Sequence, residues 1–101
     1  MQNYKLINGI EQNALYPDTF EIPSVEEKSQ IGVDSIVKLV FVANDLIERM
    51  WVIVTKVITD PSGTQMVGLL DNDPISLESG LKYGDEIKFT PDHVISIFPI
   101  G

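Results

Sequence analysis

The segment from Leu69 to Ile75 reads LLDNDPI and holds the densest group of side chains that could do chemistry. Its two aspartates, Asp71 and Asp73, stand two residues apart, so in an extended chain their carboxylates share one face. A calcium loop beginning at Asp71 requires glycine at its sixth position and glutamate at its twelfth. The chain has Ser76 and Lys82 there, so the sequence predicts no metal site of this kind.

A catalytic use of the two aspartates needs a complementary acid, base or nucleophile. No neighbouring His, Lys or Tyr supplies one, and His93 is the single histidine of a chain without cysteine. The sequence also lacks GxSxG, GxGxxG and phosphate-loop motifs. We therefore expect a non-enzymatic protein without cofactor, in which Asp71 and Asn72 bond their own backbone in a turn and Pro74 stops the strand. A small-substrate hydrolase using Asp71, Asp73 and His93 is the alternative.

A second group of side chains, Glu48-Arg49-Met50-Trp51, leads into the longest apolar run of the chain. Trp, Met and Arg are enriched at protein interfaces, so Trp51 could be a surface anchor. A lone tryptophan in a small domain more commonly fills its core, and we expect Trp51 to occupy the layer between a helix and the sheet. The candidate partner-binding residues are Glu48, Arg49, Asp71, Asn72, Asp73 and His93.

Charge favours a protein partner over nucleic acid. The chain has 15 acidic and seven basic residues among 101, a net charge of −8, and the acids are spread along its whole length. Phosphate binding depends on clustered Lys and Arg, whereas an acidic surface steers basic proteins. We expect a protein partner of basic character and no direct contact with nucleic acid, the alternative being an acidic mimic of nucleic acid.

No apolar run approaches the roughly 20 residues of a membrane-spanning helix, and the first residues resemble no signal peptide. The absence of cysteine fits a reducing compartment. These features predict a cytoplasmic protein without membrane contact, a monomer or weak dimer.

The elements that would position these residues are mainly strands. Residues 1–19 are mixed in polarity, and we expect an arm with a possible edge strand at 4–7 that packs through Leu15, Tyr16 and Phe20. Ser24 and Glu27 have the spacing of a capping box, which predicts one short helix ending at Gly32.

From Ser35 onward the apolar period is two, and residues 36–42 and 49–58 are rich in β-branched side chains. The second run has two apolar faces, with Met50, Val52 and Val54 on one and Trp51, Ile53 and Val57 on the other.

Asp60-Pro61-Ser62-Gly63 predicts a hairpin turn between residues 50–59 and 64–70. Short strands follow at 86–89 and 94–98, and Thr90-Pro91 between them predicts a single helical turn. The predicted fold is mainly β (α+β), a small SH3-like barrel of about five strands with one short N-terminal helix, formed by residues 20–101.

Several segments together resemble a family of small bacterial proteins and domains of unknown function. The matching segments are Thr19–Ser24, Gly32 with Val37–Leu39, Glu48–Val52, Gly68–Pro74, and Leu81–Asp85 with Phe89 and His93–Val94. They follow in order over about residues 17 to 95. Some similar domains look like immunity proteins that accompany bacterial toxins, so the resemblance implies a role as a protein-binding immunity or inhibitor protein.

Overall fold

The computed structural model describes residues 4–74 and 80–99, so Ile75 of the LLDNDPI segment and the following Ser76 lie outside the described residues. The elements are β1 (Lys5–Leu6), α1 (Gly9–Leu15), α2 (Val25–Ser29), β2 (Ile36–Ala43), β3 (Leu46–Asp60), β4 (Gly63–Leu70), β5 (Glu86–Phe89), a 3-10 helix (Pro91–His93) and β6 (Ser96–Ile97). No helix among them has the length and apolar character needed to span a membrane.

The strands form one antiparallel sheet in the order β1-β2-β3-β4-β5, which curls into a half-barrel. The last strand, β6, returns to β2 and pairs with it at Val37 and Lys38. On the same edge of β2, β1 pairs further along at Phe41 and Val42. The prediction of a mainly β domain with few helices is confirmed.

The hairpin predicted at Asp60 joins β3 to β4. The Ser62 amide donates to Asp60 Oδ1 at 2.8 Å, and Gly63 has a φ of +133° that favours glycine. The 3-10 helix at Pro91 is also confirmed. These features were predictable because each depends on neighbouring residues only.

The inner face of the half-barrel forms the core. Met50, Val52 and Val54 alternate inward along β3 and are buried, as predicted. The pairing of β3 with β4 shifts by one residue between Val54 and Lys56, a β-bulge. Val57 therefore packs against the core, and its predicted place on the face of Trp51 is wrong.

The N-terminal part contains two short helices instead of one. The capping box is present, with the Glu27 amide donating to Ser24 Oγ at 3.1 Å and the Ser24 amide to Glu27 Oε1 at 3.0 Å. The helix it begins, α2, ends at Ser29 with Gln30 as C-cap, before the expected Gly32.

The other helix, α1, begins at Gly9 and is capped by Asn8, whose Oδ1 accepts hydrogen bonds from the Ile10 and Glu11 amides at 2.9 and 3.1 Å. No periodic run of apolar residues follows Asn8 in the sequence, so the sequence did not reveal that Asn8 caps a helix. The expected packing through Leu15 and Tyr16 is wrong, since Leu15 is 67% exposed and Tyr16 is exposed as well. Contact is made instead by the buried Gly9, where an added Cβ would lie 3.2 Å from the Ile95 side chain.

Candidate functional site

Trp51 lies on the outer face of the sheet. Its neighbours along β3, Met50 and Val52, are buried on the inner face, so strand alternation points the indole outward. Phe98 packs edge-on against it, with ring centroids 5.6 Å apart and an interplanar angle of 83°. Lys38 Nζ lies 4.6 Å from the indole centroid in a cation–π contact. The ring is half-buried between these two side chains, so its predicted place in a closed layer beneath a helix is wrong.

The indole is part of a continuous apolar surface. Ile53 lies two residues beyond Trp51 on the same face and pairs across the strands with Leu69. Phe98 is held beside them because its amide donates to the Ile36 carbonyl at 2.8 Å. We call the four side chains of Trp51, Ile53, Leu69 and Phe98 the outer aromatic patch. Leu69 is 41% exposed and Phe98 48% exposed, so the patch faces solvent.

The acidic segment LLDNDP is tied directly to this patch. Asn72 Oδ1 accepts a hydrogen bond from the Trp51 amide at 2.5 Å, and the Asp71 amide donates to the Trp51 carbonyl at 2.9 Å. The segment therefore continues the pairing of β4 with β3. The predicted turn, in which Asp71 and Asn72 bond their own backbone, is wrong because the bonds run to a residue 21 positions away from Asn72.

The carboxylates of this segment remain at the edge of the patch. Asp71 Oδ1 accepts a hydrogen bond from the exposed Tyr83 hydroxyl at 3.2 Å. The pKa of Tyr83 is raised, first by this bond and by the Asp71 charge, then by burial and the Asp73 charge. Glu86 lies opposite Leu69 on the next strand. We call Asp71, Asp73 and Glu86 the acidic rim.

His93 has a structural role at some distance from these acids. Its Nδ1 accepts a hydrogen bond from the Thr90 amide at 3.0 Å, which caps the 3-10 helix as expected from the sequence. Burial lowers the pKa of His93, Asp92 raises it and Lys28 lowers it further, so the ring favours the neutral form that this bond requires.

Register separates His93 from the two aspartates. The start of β5, at Glu86, pairs with Leu69, close to Asp71 in the sequence. The end of β5, at Phe89, pairs with Met66, and the chain continues from there to His93. The geometry does not assemble Asp71, Asp73 and His93 into one site. Among residues 4–74 and 80–99, no three His, Asp or Glu side chains are grouped to hold a metal ion.

Glu48 and Arg49 precede the patch on β3 and point to opposite faces. Arg49 is exposed on the outer face, with its guanidinium carbon 5.7 Å from the centroid of the Phe20 ring. Glu48 pairs with the buried Phe41 and is half-buried on the inner side. Of the six predicted partner-binding residues, Asp71 and Asn72 are hydrogen-bonded to the backbone of Trp51. Asp73 follows them in the same segment, and Arg49 lies two residues before Trp51 on the outer face.

Sequence reasoning missed Leu69, Tyr83, Phe98 and Lys38 as members of this site. Lys38 had a usable signal, since it stands alone in an apolar strand. Phe98 had none, because the return of β6 to β2 brings it beside Trp51 from the far end of the chain.

No protein-family model matches this chain, and comparison with curated proteins and with solved structures likewise gives no match. The resemblance to small bacterial domains stays a prediction.

Proposed function

We propose that this protein is a non-enzymatic binding module that holds a protein partner on the outer aromatic patch. The observation that carries the proposal is the solvent-facing edge of Phe98 and Leu69 around a half-buried tryptophan. Aromatic side chains in a rigid setting bind partners with little loss of conformational entropy. Trp51 is fixed by its edge-on contact with Phe98, by Lys38 above its ring and by the hydrogen bond that its backbone amide donates to Asn72 Oδ1.

The arrangement has the anatomy of a protein interface. Such interfaces combine an apolar centre rich in aromatic residues with a polar rim. Here the four patch side chains form the centre, and the acidic rim borders it at the end of β4. A partner with basic side chains around an apolar contact would complement both parts, and the net charge of −8 would speed its approach.

We also propose that the half-barrel is of the SH3-like kind. Support comes from the antiparallel order β2-β3-β4-β5, the 3-10 helix before the last strand and the return of β6 to the edge of β2 opposite β3. An immunity or inhibitor protein that blocks a basic surface is the form of protein binding most consistent with this small acidic domain.

The patch should be necessary for capture of the partner. We expect Phe98→Ser and Leu69→Ser to lower recovery of the partner from a lysate of the source organism at least about tenfold, since truncating a side chain at the energetic centre of an interface costs about 2 kcal/mol. Leu15→Ser is the control, because Leu15 is also an exposed apolar residue, more exposed than either patch residue, and lies on α1, away from the patch. Equal recovery with all three variants would contradict the proposal.

Salt dependence separates the rim from the patch in the same capture. Asp73 is exposed, and Asp73→Lys should weaken capture at low salt and reduce its dependence on salt, since rim charges act mainly on the association rate. Capture that is indifferent to both salt and Asp73→Lys would rule out a basic partner.

A further inference from the structure

A groove of about 480 Å³ opens on another part of the molecule. It runs between the two helices on one side and the far end of the β3–β4 hairpin with the 3-10 helix on the other. Its apolar lining includes Ile10, Ile22, Val25, Val57, Met66 and Pro91. Val25 is 85% exposed at its edge, so an apolar ligand would cover side chains that now face water.

One charged side chain belongs to the wall of this groove. Lys28 is only 8% exposed, and its Nζ has no hydrogen-bond partner among the described residues. Asp92, which also lines the groove, raises the pKa of Lys28, but burial lowers it by more. A buried ammonium without a partner is unfavourable, and such groups are commonly paired in native proteins.

We propose that the groove binds a small amphipathic carboxylate, whose charged end pairs with Lys28 and whose apolar chain lies along the groove. The unpartnered ammonium requires a negatively charged group on the ligand, and the apolar lining requires that the rest of the ligand be apolar. Because Nζ is buried, the lysine side chain must turn toward the groove to meet the carboxylate, and its flexible stem allows such a rotation.

The same features argue against a phosphate group. Phosphate sites use several free donors or a bidentate arginine, whereas this groove offers one ammonium. The hydroxyls of Ser29, Thr59 and Thr64 also line it, but they already form hydrogen bonds within the protein. Asp92 at its border would also repel a doubly charged group more strongly than a carboxylate. The groove shares no residue with the outer aromatic patch, so this inference stands independently of the proposed protein partner.

Calorimetric titration of the full chain with octanoate tests the proposal. Octanoate should bind with one-to-one stoichiometry, and octanol, which has the same chain without the charge, should bind at least about tenfold more weakly. Lys28→Met should weaken octanoate binding by a similar factor and leave octanol binding nearly unchanged. Lys5→Met is the matched control, because Lys5 is exposed on β1 outside the groove, and it should bind octanoate like the wild type.

A second variant keeps the test independent of Lys28. Val25→Glu places a carboxylate at the exposed edge of the groove, at the first residue of α2, where an acid is tolerated. It should weaken octanoate more than octanol. The proposal is overturned if octanoate does not bind, if octanol binds as tightly, or if Lys28→Met binds octanoate like the wild type.

Discussion

Gly68→Ala should lower the free energy of unfolding by about 1–3 kcal/mol, a large share of the stability of a small domain. Gly68 faces inward on β4 opposite the β3 bulge. A Cβ there would lie 2.5 Å from the Ile53 carbonyl oxygen and 2.5 Å from Val52 Cγ1. Because one of these contacts is with backbone, the strands themselves must separate to admit a methyl group.

Gly32→Ala is the matched control. Apart from its chain neighbours, none of the described residues has an atom within 4 Å of a Cβ built at Gly32, and the φ of Gly32 is not in the left-handed region. This variant should be neutral or more stable by about 0.4–1 kcal/mol, because alanine restricts the unfolded chain. Urea denaturation monitored by circular dichroism measures the free energy of unfolding of both variants. Equal stability of the two variants would show that β3 and β4 do not approach each other this closely.

Lys28→Met should raise the free energy of unfolding, by about 1–4 kcal/mol at neutral pH. Methionine has a similar shape and removes a buried charge that has no partner among the described residues. The gain distinguishes this variant from an ordinary core substitution, since most substitutions destabilise. Loss of stability would show that the ammonium is satisfied by an interaction in solution.

We expect the stability difference between Lys28→Met and the wild type to depend on pH. Burial lowers the pKa of Lys28 in the folded protein below its ordinary value of 10.5, while Asp92 opposes the shift. Between the folded and unfolded values the unfolded chain binds more protons, so the wild type gains stability as pH rises. The advantage of Lys28→Met should therefore shrink as pH rises toward 10.5. An advantage that is constant with pH would indicate that packing, and not charge, causes it.

Local signals in the sequence predicted the parts of the fold that neighbouring residues determine. The Asp60 turn, the capping box at Ser24 and the strand Glu86–Phe89 all depend on a few adjacent side chains. The bulge after Val54 has no signal in its own strand, and the one indication lies in the partner strand, where the isolated Gly68 marks a close approach of the two backbones. One unpaired residue was enough to move Val57 to the opposite face.

The candidate site was predictable only in part for the same reason. The acidic segment stood out by composition, but its attachment to Trp51 through Asn72 joins residues distant in sequence. Alternation correctly separated the face of Trp51 from that of Met50, but it does not say which segment covers either face. The groove around Lys28 could not be predicted from the sequence, because it forms where elements distant in the chain meet: both helices, the hairpin and the 3-10 helix.

The central claim is that a protein partner covers the outer aromatic patch. The most direct test is an NMR titration of the ¹⁵N-labelled protein with the unlabelled captured partner. We predict that the largest amide shifts fall on Trp51, Ile53, Leu69 and Asn72, with the side-chain signal of the single Trp indole shifting as well. Shifts concentrated on α2 and the 3-10 helix, with the Trp51 indole unchanged, would contradict it.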